Sequence, residues 1–87
     1  MVNILEIIVL SDSVKNTIGD IMKVIYKLYE IRTEKGMSLR KLEELSGVSR
    51  ATINRIENQQ YNPTVLTLCM IADALNIAPS ELYSVEK

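Results

Sequence analysis

The chain contains no histidine and a single cysteine, Cys69. Imidazole is the commonest metal ligand and the side chain best suited to proton transfer near neutral pH, so its absence removes most routes to a metal centre or to acid–base catalysis. One thiol can form neither an internal disulfide nor a multi-thiolate zinc site, and a lone cysteine inside a helical apolar pattern reads as core filler. Nor is there an apolar run of the roughly 20 residues that a membrane-spanning helix needs. The hydrophobic opening MVNILEIIVL is interrupted by Glu6 and lacks the basic start and small-residue cleavage site of a secretory signal. Internal repeats, low-complexity tracts and paired carboxylates in a glycine-rich pocket are also missing. An enzyme is therefore poorly provided for. No cofactor, metal or membrane partner is expected, and the expected location is the cytoplasm.

What remains is a small chain with helical periodicity. Its 87 residues have room for one core, and a chain of this size buries only about 60% of its unfolded surface, so modest stability or support from a partner chain is expected. Residues 39–58, LRKLEELSGVSRATINRIEN, read as two short helices joined at a sharp corner. Leu42 and Leu45 supply an apolar face to the first, Gly47 suits the left-handed backbone of the corner, and Val48 plugs it. Ser49 is the expected N-cap of the second helix. There Ile53 and Ile56, three apart, face inward, which turns Arg50, Ala51, Asn54, Arg55 and Asn58 outward.

The overall charge of −1 conceals an asymmetry. Residues 22–60 carry eight Lys and Arg against five Asp and Glu, or +3, while residues 1–21 and 61–87 each sum to −2, from one Lys against three acids. Positive charge thus concentrates around the helical corner, as a nucleic-acid face requires, and a surplus of this size predicts salt-dependent binding.

Elsewhere the pattern is uneven. Ile7, Ile8, Val9 and Leu10 favour a strand, whereas Ile4, Leu5 and Ile8 also fit one face of a helix. Ser11, Asp12 and Ser13 offer a helix start, and Val14, Ile18, Ile21, Ile25 and Leu28 form a stripe consistent with one long helix or two pieces broken at Gly19 and Asp20. Downstream, Gly36 is the expected end of a helix, Ser38 the cap of the next, and Thr64 the cap of another whose Leu68, Ile71, Ala72 and Leu75 share a face. Asn76 suits the left-handed turn after it, and Pro79 the first position of a closing helix through Tyr83.

The motifs KGMS, GVSRATINRIEN, NPTVLTLCMIADALNI and PSEL, in this order and spacing, resemble the Cro and phage-repressor type of helix-turn-helix domain, the XRE family. The resemblance covers about residues 24–83. It implies an all-α, compact five-helix, lambda-repressor-like domain over residues 22–87, with a first helix at about residues 25–35. Residues 1–21 form an N-terminal extension of strand or helix structure, read either as a dimerisation arm or as a leader upstream of an alternative start at Met22.

By function the resemblance implies a sequence-specific DNA-binding transcriptional regulator, a repressor by analogy, that docks as a homodimer on palindromic double-stranded DNA through residues 49–58. Arg50, Ala51, Asn54 and Arg55 fall at base-reading places, and Ser38, Arg40, Ser49, Asn58 and Gln60 at phosphate-contacting ones. Arginine suits guanine O6 and N7, asparagine adenine N6 and N7, and alanine the thymine methyl. The plainer role for the arginines is a surface salt bridge, Arg50 with Glu57 or Arg55 with Glu43 or Glu44. Ile77, Ala78, Leu82, Tyr83 and Val85 are the expected dimer surface, with Met70 and Tyr61 as further candidates where exposed. Two positions depart from the family. Leu39 replaces a phosphate-gripping glutamine, and Glu43 replaces a small residue where the two hairpin helices cross, with Arg50 or Arg55 available to neutralise it. Both favour the alternative function, an antitoxin-like or adaptor module that binds a protein partner on the same scaffold.

Overall fold

The computed structural model describes residues 22–86. Four α-helices follow one another: α1 (Leu28–Glu34), α2 (Leu39–Ser46), α3 (Arg50–Glu57) and α4 (Val65–Leu75). They are bracketed by two short strands, β1 (Lys23–Tyr26) and β2 (Tyr83–Glu86), paired antiparallel with Val24 opposite Val85 and Tyr26 opposite Tyr83.

This corrects the all-α, five-helix expectation. The segment after Asn76 makes only a 3₁₀ turn, Pro79–Leu82, and then becomes a strand, so Tyr83 belongs to a sheet and not to a closing helix. At the other end the first helix starts at Leu28, and Ile25 lies in β1. The run Val24, Ile25, Tyr26 is β-branched and aromatic, a composition that packs better on a pleated surface than on a helix once a partner strand is available. The extension 1–21, with Val14, Ile18 and Ile21 of the proposed stripe, lies outside the described residues.

The core forms where the inward stripes of the helices converge. Leu28, Leu42, Ile53, Ile56, Ile71, Leu75 and Leu82 are almost wholly shielded from solvent, joined by Tyr26, Val48, Leu68 and Ala72. The α4 stripe of Leu68, Ile71, Ala72 and Leu75 is as expected, and by the same periodicity Cys69 points away from it. Cys69 is exposed and does not fill the core. Leu45 is likewise 51% exposed, so the inner face of α2 is Leu42 with the small Ser46, not Leu42 with Leu45.

Helix ends are set by the residues expected to set them. The side chains of Ser38, Ser49 and Thr64 each accept a hydrogen bond from a first-turn backbone N–H, of Lys41, Thr52 and Thr67 respectively. Gly47 has φ +76° at the corner between α2 and α3, and Asn76 has φ +59° after α4. Gln59, after α3, also takes a left-handed φ of +60°. The N–H groups of Gln59 and Gln60 return to the carbonyls of Ile56 and Arg55, which closes the helix as a glycine would.

The Gln59 side chain explains why a glycine is not needed there. Its Oε1 accepts from the Tyr26 N–H at 2.8 Å, and its Nε2 donates to the Tyr26 carbonyl at 2.9 Å. The amide thus occupies the outer edge of β1 as a neighbouring strand would, and it ties the end of α3 to the sheet.

Candidate nucleic-acid interface

Helix α3 is held on its inner side by Ile53 and Ile56, both without solvent exposure. Arg50, Ala51, Asn54, Arg55 and Asn58 are all exposed on the opposite side. The structure therefore brings the four expected base-reading residues and Asn58 onto one convex surface, presented by a helix whose rotation is fixed by its packing.

The start of α3 is doubly stabilised. Ser49 caps it, and the Ser49 hydroxyl also donates to Thr52 Oγ1 at 2.9 Å. Glu43, one helix back, accepts the Arg50 backbone N–H at 2.7 Å and holds Arg50 Nε at 3.1 Å through its other oxygen. A carboxylate there satisfies a donor that has no partner within the helix and faces the positive end of the helix dipole. Arg50 thus pairs with Glu43 and not with Glu57.

Arg55 makes no salt bridge with Glu43 or Glu44. Its guanidinium lies over the Tyr61 ring, 5.3 Å from the centroid, so it is positioned by an aromatic face. Asn58 Nδ2 donates to the carbonyl of Asn54 at 2.9 Å and to Asn54 Oδ1 at 3.0 Å, which joins two of the outward amides.

Among the residues expected at phosphates, Ser38 and Arg40 sit at the exposed start of α2, and Gln60 is exposed beyond α3. The hydroxyls of Ser38 and Ser49 are engaged as caps. Leu39 packs against the core, so a leucine at this position anchors α2 in place of an amide that faces outward.

Sequence reasoning missed the group that locks α3 to α1. Arg32 Nε and Nη2 donate to the two carboxylate oxygens of Glu57 at 2.5 and 3.0 Å, and Nη1 donates to the Met37 carbonyl at 2.9 Å. Their side chains are only 10% and 5% exposed. The hydrogen bonding of Arg32 to the Glu57 carboxylate is the main reason its guanidinium is held still further into its charged range. A signal existed: Glu57 lies four residues after Ile53 and Arg32 four after Leu28, so both occupy inward stripes where an unpaired charge is not tolerated. Beside this pair opens a cleft of about 400 Å³ lined by Tyr29, Glu30, Leu39, Asn54 and Asn58 as well as Arg32 and Glu57.

The expected dimer surface is only partly available. Leu82 is a core residue at 1% exposure, because the 3₁₀ turn folds it beneath the sheet. Ile77 and Tyr83 are half-buried against the core, and Ala78 is exposed. Val85, also expected, is exposed opposite Val24 in the sheet, Val24 and Val65 line a common groove with Tyr83, and Leu66 is exposed next to Val65 at the start of α4.

A family model described as helix-turn-helix matches residues 28–82. The chain belongs to the XRE-type helix-turn-helix family. Its two strands lie outside the matched residues, so the sheet is built from flanking sequence. The chain is 42% identical over 57 residues to the HTH-type transcriptional regulator SutR of Escherichia coli (strain K12), across 66% of this chain and 32% of that protein. It is 34% identical over 58 residues to the HTH-type transcriptional regulator PuuR of the same organism, across 67% of this chain and 31% of that protein. It thus spans about a third of the length of these two regulators. Among solved structures it is similar to the restriction-modification controller protein C.AhdI from Aeromonas hydrophila, with 38% identity and a TM-score of 0.61 over 63% of this chain and 83% of that one. No helix among the described residues is long and apolar enough to cross a membrane.

Proposed function

We propose that the chain is a sequence-specific DNA-binding transcriptional regulator, a repressor that docks α3 in the major groove of a palindromic operator. The observation that carries this reading is the outward row Arg50, Ala51, Asn54, Arg55 and Asn58 on a helix whose opposite side is sealed by Ile53 and Ile56. Arginine and asparagine carry the donor and acceptor pairs that distinguish guanine and adenine in that groove. Ser38, Arg40, Ser49 and Gln60 flank the row where phosphates would run. The likeness to SutR, PuuR and C.AhdI supports the same reading.

A two-fold pair of such domains reads half-sites about 34 Å apart. With Leu82 in the core, the exposed Val24, Val65, Leu66 and Val85 join Ala78 and Tyr83 as the surface that supports pairing. The second reading, a protein-binding module on the same scaffold, rests on Glu43, which occupies Arg50, and on Leu39, which offers no amide to a phosphate.

Selection of bound duplexes from a random library, followed by gel shifts at rising salt, tests the proposal. Recovery of one palindromic sequence, with binding lost on it when Arg50 or Arg55 is replaced by alanine, supports a DNA-reading regulator. Steeply salt-dependent binding with no sequence retained favours the protein-binding module.

A further inference from the structure

We infer that Glu43 is a specificity-determining residue which acts through Arg50. It sharpens base discrimination and lowers affinity for DNA in general. This rests on the DNA-reading function proposed above. The carboxylate holds Arg50 at two points, the backbone N–H at 2.7 Å and the guanidinium Nε at 3.1 Å. Arginine has five N–H donors in a rigid fork, and an ion pair on the Nε side leaves the two terminal nitrogens without a protein partner among the described residues, to project together. That terminal pair can meet guanine O6 and N7. A free arginine samples many rotamers and can turn to a phosphate or to a neighbouring base, whereas a tethered one offers its donors in one direction.

The same carboxylate sits 36% exposed beside a surface that must approach phosphates, with Arg50 57% exposed next to it. Its charge opposes every duplex equally, whatever the sequence, and withdraws one guanidinium from the positive surface. On bare protein such an exposed pair adds little stability, so its geometry matters chiefly for how Arg50 meets a base.

The test uses the full chain, its Glu43→Gln and Arg50→Ala variants, and the double variant. Glutamine keeps an oxygen for the Arg50 N–H but loses the charge that holds the guanidinium. Binding is measured by gel shift on the duplex selected by the parent chain, on every single-base-pair change of it, and on an unrelated duplex. The expected result for Glu43→Gln is about threefold tighter binding to the unrelated duplex. It is accompanied by about a tenfold loss of preference at one base pair, the pair at which Arg50→Ala also loses preference. In the Arg50→Ala background the glutamine leaves all preferences unchanged.

A merely structural Glu43 would alter melting temperature or shift all affinities together. Uniform tightening with every base preference intact overturns the inference while leaving the DNA-reading function standing. If the parent chain selects no duplex, that function fails and the inference fails with it. Should Glu43→Gln melt early, Glu43→Ala, the small residue the family prefers at this crossing, replaces it under the same expectations.

Discussion

Arg32 of α1 and Glu57 at the end of α3 form a two-bond ion pair, shielded from water, that fixes α3 to α1. Removing one partner strands the other charge in the interior, which typically costs about 3 kcal/mol or more. Arg32→Met should therefore lower unfolding free energy in urea by about that amount, and it also orphans the Met37 carbonyl. The double variant Arg32→Met, Glu57→Leu should recover much of the loss, because two apolar side chains leave no uncompensated charge. A double variant as unstable as the sum of the singles would show that the pair is not acting as a unit.

Gln59 combines an unfavourable backbone with a favourable side chain. Its φ of +60° costs about 1 kcal/mol in a non-glycine residue, against two hydrogen bonds to Tyr26 that contribute about 1 kcal/mol each. Gln59→Ala keeps the cost and loses both bonds, and should destabilise by about 2 kcal/mol. Gln59→Gly loses the bonds but relieves the backbone, so its stability should fall between alanine and the parent. Thermal melts of the three proteins give the order directly, and glycine more stable than the parent would mean that the clip to the sheet contributes less than the left-handed backbone costs.

These two features show why the sequence was only partly legible. Gly47, the caps at Ser38, Ser49 and Thr64, and the inward pair Ile53 and Ile56 depend on residues within a few positions of one another, so local pattern was enough. The sheet depends on Lys23–Tyr26 meeting Tyr83–Glu86, segments too short and too distant to announce each other. Arg32 and Glu57 are separated by 25 positions, and each alone looks like a solvated charge. Cys69 departs from expectation for a different reason. The stripe of Leu68, Ile71, Ala72 and Leu75 puts it on the outer side of α4, and there periodicity decides burial against the usual preference of a thiol for the core.

Tyr26 gives a pH signature. Burial raises its phenol above the usual 10.0, and the hydroxyl donates to Asn62 Oδ1 at 3.0 Å. Because the folded state holds the proton more tightly than the unfolded chain, the contribution is fully present below pH 10 and is lost as pH rises through the folded value. Tyr26→Phe should be less stable by about 1 kcal/mol at neutral pH, from the lost hydrogen bond, and that deficit should shrink above pH 10. Urea midpoints of both proteins from pH 8 to about 11 measure the difference and cancel the titration of the lysines they share. A constant deficit across that range would contradict the assignment.

Val65 and Leu66 open α4 with 76% and 70% of their surface in solvent, and Val65 lines a groove with Val24, whose strand partner is Val85. Neither residue is needed to start the helix, since Thr64 caps it. Apolar side chains grouped this way are more costly to expose than scattered ones, and they fit a contact between subunits. Replacing both by lysine should leave helical content and melting cooperativity of the domain intact while sedimentation shifts from dimer to monomer. It should also weaken binding to a palindromic duplex far more than to a single half-site, because only the former requires two domains held together. If the double lysine variant sediments as the parent does and keeps its palindrome affinity, the pairing surface lies elsewhere, with Ala78 and Tyr83 next to be tested.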